Sequence, residues 1–429
     1  MKEGREWGFI FCRGPRGDIR GPESSGTPTN VTLNLRCPSG QPLAVFHCLP
    51  ATEYVFLPGY GPMRVDMAAK KWPDVETHKV TELISIQTGL MGSITVTPNH
   101  PIMTKQGWVL ASDLIVGDKI LLETNLPCPS NIKVKSSQWK TNWWSRVHHR
   151  PYRPQKLSPE LGLLLGLLWS DGSISDQRVS FANKQESLIS QVSNLTMLLF
   201  GLEGKTYNGS NNVYQFHVNS TDLAHYFQRN LGFTKERVPH LLWSAPPHIR
   251  QHFLNGVIQG DGSTSPANPN KPNDLVTSIS VGNSKETAIS LAYFIATLGH
   301  KPRLRIIPQH YVARTQDFMY QVVFQSGSHD APLRSPSGRL VHGGRTIGNE
   351  VKIIDIKRQT GNFEVYDFHM AEGLLYCGTL PFLTHNTHPG TGNIIPSDKD
   401  FETARAYRIP FVCVGIPETE QVKCYRVPR

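Results

Sequence analysis

The sequence predicts a composite of three folds. An all-β module is interrupted by an internally duplicated α/β unit, and a small α/β domain is split across the two chain ends. Two observations carry this expectation. Removing the 339 residues from Cys48 to Asn386 joins Val45-Phe46-His47 to Thr387-His388-Pro389, running on to Ser397 and Asp400. The joined flanks read H-x-H-P-x₇-S-x-x-D, a metal-ligand pattern that neither flank holds alone. Inside the removed stretch, a small-residue helix pattern ending in Asp-Gly occurs twice, with Asp171 and Asp261 standing 90 residues apart.

The bulk composition is compatible with this division. A chain of 429 residues has room for about two to three domains, and 38% hydrophobic with 9% aromatic residues supplies packed cores. A membrane helix needs about 20 apolar residues, whereas the longest apolar run, Leu161 to Trp169, has nine and includes Gly162 and Gly166. Met1-Lys2-Glu3-Gly4-Arg5 has no apolar signal core. The expectation is a soluble, cytoplasmic monomer without a membrane partner. The seven cysteines, Cys12, Cys37, Cys48, Cys128, Cys377, Cys413 and Cys424, are odd in number with no close pair, which fits reduced thiols. The net charge of +10 is uneven: Lys133, Lys135, Lys140, Arg146, Arg150, Arg153 and Lys156 are interleaved with Trp139, Trp143 and Trp144, with no acidic residue among them. Such a stretch suits a polyanion such as DNA, or equally a solvated linker.

The inserted stretch opens on a thiol, a good nucleophile that forms an easily displaced thioester. It closes on His385-Asn386, followed by the hydroxyl of Thr387. Ile94-Thr95-Val96 reads as a strand, Lys105 to Trp108 as a turn, and Ala111 to Asp118 as a loop. Thr95-Val96-Thr97-Pro98-Asn99-His100 resembles the T-x-x-H block of inteins. Val365-Tyr366-Asp367 resembles their V-Y-D block, and the terminal His-Asn-Thr their downstream junction. The resemblance implies a horseshoe-shaped Hint domain that splices without a cofactor. Cys48 attacks the His47 carbonyl, Thr97 and His100 hold and protonate the scissile amide, and Asp367 coordinates the first steps. Thr387 takes the acyl group, and Asn386 cyclises with help from His385. One departure is Leu375, which stands near the position where inteins place a histidine; His369 is the candidate substitute.

Leu164 to Gly172 and Leu254 to Gly262 resemble the LAGLIDADG motif. Gly166 with Ser170, and Gly256 with Gly260, are spaced i, i+4, so each pair lines one helical face and lets two helices approach closely. Each helix then delivers an aspartate, Asp171 or Asp261, to a shared point where Mg²⁺ can be bound. Val179 to Lys184 is echoed by Ile279 to Lys285, and each precedes an amphipathic helix ending in glycine, Ser187 to Gly201 and Thr287 to Gly299. Lys235 lies in a K-x-x-x-P block before the second motif; Lys235 or Lys285 would be the electrostatic group. The resemblance implies a homing endonuclease acting on double-stranded DNA, with the unoccupied host gene as its site.

The joined flanks, 47 and 43 residues, resemble the JAB/MPN (JAMM) metalloproteases. That implies Zn²⁺ held by His47, His388 and Asp400, Glu6 as general base, Ser397 at the oxyanion and a peptide or isopeptide substrate. The predicted order is a first host half at 1–47, splicing module at 48–150 and 346–386, endonuclease at 151–345, and second host half at 387–429. Two alternatives are a zinc hydrolase that retains a DNA-binding insertion and a Hint module that cleaves without ligating.

Overall fold

The computed structural model describes residues 47–134, 151–209, 212–268, 270–308, 318–325, 349–368 and 374–386, together with the backbone of five short strands in the flanks. Those five strands form one antiparallel sheet, in the order Gly4–Glu6, Phe9–Phe11, Phe411–Ile416, Gln421–Arg426, Thr29–Val31. Phe9 pairs with Val414 and Val31 with Val422, so the C-terminal strand pair is seated between N-terminal strands in a single sheet. The expected α/β character is represented among the described flank residues by strands alone.

The second sheet belongs to the module beginning at Cys48. Its backbone is the pairing of two long strands, Val75–Thr88 and Glu350–Phe368, which lie far apart in sequence. At its inner end the first strand buries alternate residues, Ile84, Ile86 and Thr88, as expected where one face packs on a core. Ser93–Val96 returns alongside it, the strand expected around Ile94-Thr95-Val96. The two-residue strand Leu49-Pro50 pairs with Tyr366 and Val365, which sets Cys48 level with Asp367. Thr384 of the last strand, Phe382–His385, pairs with Ile102 of Pro101–Thr104. This register brings the end of the module beside the turn that carries His100. The turn expected at Lys105–Trp108 is tighter, since Gly107–Leu110 already forms a strand, and Ala111–Asp113 is a short 3-10 helix rather than a loop.

The insertion between these strands is duplicated in space as in sequence. Each half has a helix ending in aspartate, Pro159–Asp171 or Pro247–Asp261, followed by a four-stranded antiparallel sheet. In the first half the sheet order is Gly172–Ser175, Arg178–Asn183, Tyr214–Asn219, Lys205–Asn208; in the second it is Gly262–Asn268, Lys271–Ser280, Phe318–Gln325, Arg303–Pro308. These orders are the same. The expected amphipathic helices run Glu186–Phe200 and Lys285–Ala296. The first is stopped by Gly201 at φ +66°, a conformation glycine adopts without a Cβ penalty.

The helices Pro159–Asp171 and Pro247–Asp261 form the centre of the duplicated unit. A Cβ on Gly166 would overlap the Phe253 carbonyl oxygen, and one on Gly256 would overlap that of Leu163. The missing side chains therefore set the distance between the two helices. Ser158 caps the first helix by accepting a hydrogen bond from the Leu161 amide, with Pro159 beginning the first turn.

The two modules share one hydrophobic core. Tyr293 stacks on Phe56 at 6.0 Å between ring centres, and Trp243 meets Phe56 edge-on at 5.9 Å while lying over Gly61. Among the described residues no helix is long and apolar enough to cross a membrane.

Candidate functional site

The strand registers bring Cys48, Thr97, His100, Asp367, His385 and Asn386 into one cluster, buried except for the half-buried His385. Thr97 brackets Cys48: its Oγ1 accepts from the Cys48 amide at 3.2 Å, and its own amide donates to the Cys48 carbonyl at 3.2 Å. The nitrogen it holds is the one in the His47–Cys48 peptide bond. The His100 amide closes the turn by donating to the Thr97 carbonyl at 3.0 Å.

Three imidazoles gather around that bond. The His47 ring lies 6.1 Å from His100 and 6.0 Å from His385, and Trp108 packs edge-on against His385 at 5.5 Å. Burial, with the neighbouring His385, holds His100 down to about 3, although the Cys48 backbone pulls the other way. Burial, His100 and His385 likewise hold His47 well below the ordinary histidine range. His47 and His100 are buried and His385 is half-buried, so His100 is neutral at pH 7 and acts through an N–H or a lone pair. Neither nitrogen of His100 makes a hydrogen bond of good geometry among the described residues. Such orphaned polar atoms collect where chemistry is done.

The Cys48 thiol is fully buried. Burial, then Asp367 and Glu76, hold it far above the usual thiol range, so its nucleophilic form requires a proton acceptor or a cation close by. Asp367 is fully buried beside it, and His78 completes the group: Cys48 Sγ, a His78 ring nitrogen and an Asp367 carboxylate oxygen all lie within 4.8 Å of one another. His78 carries no motif signal in the sequence. It reaches the site because it pairs with Val365 across the long strands, two residues from Asp367.

At the downstream end Asn386 is fully buried, with neither side-chain amide atom bonded to any described residue. Leu375 is also buried. It pairs with Thr384, whose hydroxyl donates to the Leu375 carbonyl at 3.0 Å, so a leucine side chain fills that position. His369, Thr387, His388, Ser397 and Asp400 lie outside the described residues, as does the side chain of Glu6. Of the three expected zinc ligands only His47 is described, and here it packs beside His100 and His385.

A second cluster lies where the paired helices end. Asp171 Oδ2 accepts from Asn183 Nδ2 at 2.8 Å, and Lys235 Nζ donates to the Ser170 carbonyl at 2.6 Å. Burial and the nearby Asp171 push Asp261 up to about 6, with Lys235 opposing. Burial lowers Lys235 against the pull of both aspartates. A Cβ on Gly260 would meet Ser170, with Asp171 Oδ2 at 2.9 Å, so the two carboxyl-bearing ends are in close approach. Two crowded carboxylates, one resisting ionisation, form the hard-oxygen donor set that fits Mg²⁺. Lys285 does not join them. It begins the Lys285–Ala296 helix, and its charge acts on Glu53 of the all-β module instead. Asn183, unassigned from sequence although within the repeated Val179–Lys184 stretch, orients Asp171. Of the expected basic DNA contacts, Lys133 is described, bridging to Lys156; Lys135, Lys140, Arg146 and Arg150 lie outside the described residues.

Residues 158–232 match the family described as LAGLIDADG-like domain, so the first half of the duplicated unit carries that domain. The chain is 24% identical over 334 residues to an A-type ATP synthase subunit of Pyrococcus horikoshii, covering 71% of this chain and 32% of that protein. It is 28% identical over 200 residues to a different A-type ATP synthase subunit, of Methanopyrus kandleri, covering 44% and 17%. It is 26% identical over 262 residues to the DNA-directed RNA polymerase subunit Rpo1C of Methanocaldococcus jannaschii, covering 54% and 29%. The chain thus spans about a third or less of the length of these relatives. Among solved structures, a mesophilic variant of the homing endonuclease I-DmoI aligns at 19% identity and TM-score 0.29, covering 40% of this chain and 84% of that one.

Proposed function

We propose that this chain is a self-splicing precursor that excises residues 48–386 and ligates its flanks. The observation that carries the reading is the convergence of both ends of the stretch on one buried cluster, with Thr97 holding the amide that would be broken. Cys48 Sγ attacks the His47 carbonyl carbon and its proton passes to a neighbouring acceptor, for which Asp367 is placed. The His47–Cys48 C–N bond breaks as the nitrogen takes a proton through His100. Thr387 Oγ then displaces the thiol. The Asn386 side-chain nitrogen attacks its own carbonyl carbon, closing a succinimide and breaking the Asn386–Thr387 bond, and the flanks settle into a normal peptide by an oxygen-to-nitrogen shift. No step needs a cofactor. The relatives support this reading in one respect. Subunits of ATP synthases and of an RNA polymerase do different work, yet each matches this chain over a minor part of its own length. A portable inserted element leaves that pattern.

The inserted unit is proposed to cut double-stranded DNA at the empty copy of its host gene. Asp171 and Asp261 would hold Mg²⁺, whose role is to stabilise charge at the phosphate; Lys235 adds a positive charge there, and the two sheets offer strands for the major groove. The ligated flanks are proposed as a zinc-dependent hydrolase of peptide or isopeptide bonds, with His47, His388 and Asp400 as ligands and Glu6 and Ser397 assisting. The seating of the C-terminal strand pair between N-terminal strands of one sheet supports a single host domain. A cytoplasmic location is part of the same proposal.

Intact mass spectrometry of the freshly expressed chain tests the reading. The expected products are a 339-residue excised protein and a 90-residue ligated one. Normal ligation in both Cys48→Ala and Asn386→Ala would overturn it.

A further inference from the structure

We propose that His47, a residue of the upstream flank, relays the proton in the downstream cyclisation of Asn386. The proposal rests on the splicing reading above and adds a host residue to its machinery.

Strand register places the ring. Thr384 pairs with Ile102, just after the turn that carries His100, so His385 is delivered beside the upstream junction. His47 then lies between two imidazoles. Its ring centre is 6.0 Å from that of His385 and 6.1 Å from that of His100, with the planes at 79° and 65°. The residue is 5% exposed, and its Nδ1 makes no hydrogen bond to a described residue. A buried nitrogen without a partner is costly, and an apolar side chain would fill the same space at lower cost. Such atoms collect where chemistry is done.

Cyclisation needs a path for a proton. Asn386 Nδ2 forms its bond to the Asn386 carbonyl carbon, and the bond from that carbon to the Thr387 nitrogen breaks. One proton leaves Nδ2 and one arrives at the departing nitrogen. His385, the adjoining residue, is placed to accept the first. A neutral imidazole holds one lone pair and one N–H, so a ring that accepts at one nitrogen can give at the other. The neighbours of His385 differ in what they can receive. The Trp108 indole, 5.5 Å away between ring centres, can only donate. Leu375, paired with Thr384, has a side chain with no proton to give or take. His47 has the lone pair, and the order of reaction carries its ring to where the proton is needed. Once Thr387 Oγ holds the acyl group, His47 is bonded through that ester to the residue whose nitrogen leaves. The path runs from Asn386 Nδ2 to His385, to His47 and to the Thr387 nitrogen. No proton is gained or lost, and no further reactant enters. The inserted element thus borrows an imidazole that belongs to its host.

The test follows the full chain by timed gel and mass analysis. The branched ester is told from the linear precursor by its mobility and by its cleavage in mild base. Expected in His47→Ala are formation of the branched ester within threefold of the parent rate and resolution of the branch at least tenfold slower. Imidazole added to the buffer should restore resolution to within threefold of the parent in His47→Ala, which leaves a ring-sized space. It should not do so in His47→Phe, which fills that space without a nitrogen. Circular dichroism checks that both variants fold; should His47→Ala misfold, His47→Phe decides alone. Resolution at the parent rate in His47→Phe overturns the relay, as does a His47→Ala chain slowed only in forming the branch. If the parent chain yields neither branch nor ligated product, the splicing reading fails and this role falls with it.

Discussion

The hydroxyl of Tyr293, in the inserted unit, donates to the Gly378 carbonyl of the all-β module at 2.9 Å, across a buried contact between residues 85 positions apart. Gly378 precedes the strand that ends at His385, so this bond steadies the approach to the downstream junction. Tyr293→Phe leaves a buried carbonyl short of its partner, at a cost of about 1–3 kcal/mol. A lower melting temperature and a slower release of the downstream flank are expected, measured by calorimetry and by timed mass spectrometry.

Thr97 Oγ1 accepts from the Cys48 amide, the nitrogen that the proposed splicing would release. Thr97→Val keeps the shape and removes the acceptor. Loss of one donor or acceptor aimed at reacting atoms typically slows catalysis about 10²-fold. Hydroxylamine cleavage at the upstream junction should fall by that order while the folded content, followed by circular dichroism, stays unchanged.

Gly166 admits no side chain, since its Cβ would overlap the Phe253 carbonyl oxygen. Gly166→Ala must push the paired helices apart, with overpacking of about 1–3 kcal/mol and displacement of Asp171 from Asp261. The urea midpoint should drop and DNA nicking should disappear. Nicking at the unsubstituted rate would refute the assigned helix packing.

Asp261, pushed up to about 6 by burial and Asp171, is protonated below that pH and then offers no anionic oxygen to a metal. DNA cleavage in Mg²⁺ should therefore decline as pH falls through about 6. Asp261→Asn should abolish cleavage and leave the splicing products unaltered, as seen by gel and mass assays on the same preparation.

Glu53 is buried and accepts hydrogen bonds from the Tyr54 and Thr95 amides, and burial pushes its carboxyl up to about 7. The folded chain thus binds this proton more tightly than the unfolded chain does. Its stability contribution is complete below about 4.5 and is lost as pH rises towards 7, by at most about 3 kcal/mol. Glu53→Gln should flatten the stability profile between those values; a profile with the same slope would show that Glu53 is not its source.

Motifs built from particular chemistry are legible in the sequence. Cys48, Thr97, His100, Asp367, His385 and Asn386 stand out by residue type and order, and strand pairing gathers all six. The duplication is legible as well, because small residues at i, i+4 followed by Asp-Gly recur where the helices meet. What stays hidden depends on register between distant strands. His78 is one ordinary residue of a long strand until Val365 is set opposite it. The separation of Lys235 from Lys285 is hidden for a related reason. Lys285 begins the Lys285–Ala296 helix, whereas Lys235 folds back over the end of the first LAGLIDADG helix, to the Ser170 carbonyl. Tyr293 and Trp243 read as generic core aromatics, and their place between modules emerges only in packing.

The sheet shared by the two flanks bears on what happens at the moment of release. Phe9–Phe11 lies against Phe411–Ile416, and Gln421–Arg426 lies against Thr29–Val31, while the whole inserted stretch is still in place. Lengthening a connection is thermodynamically mild, about 0.6 kcal/mol per doubling of a flexible loop. Here the intervening protein is itself folded, with the His47 and His385 rings 6.0 Å apart at its two ends, so it acts on the flanks as a short staple. The flank sheet is in this way knitted across a seam before the seam is sewn. In the proposed splicing, ligation would add one covalent link to strands already in register, and the product would leave with its topology settled instead of searching for it.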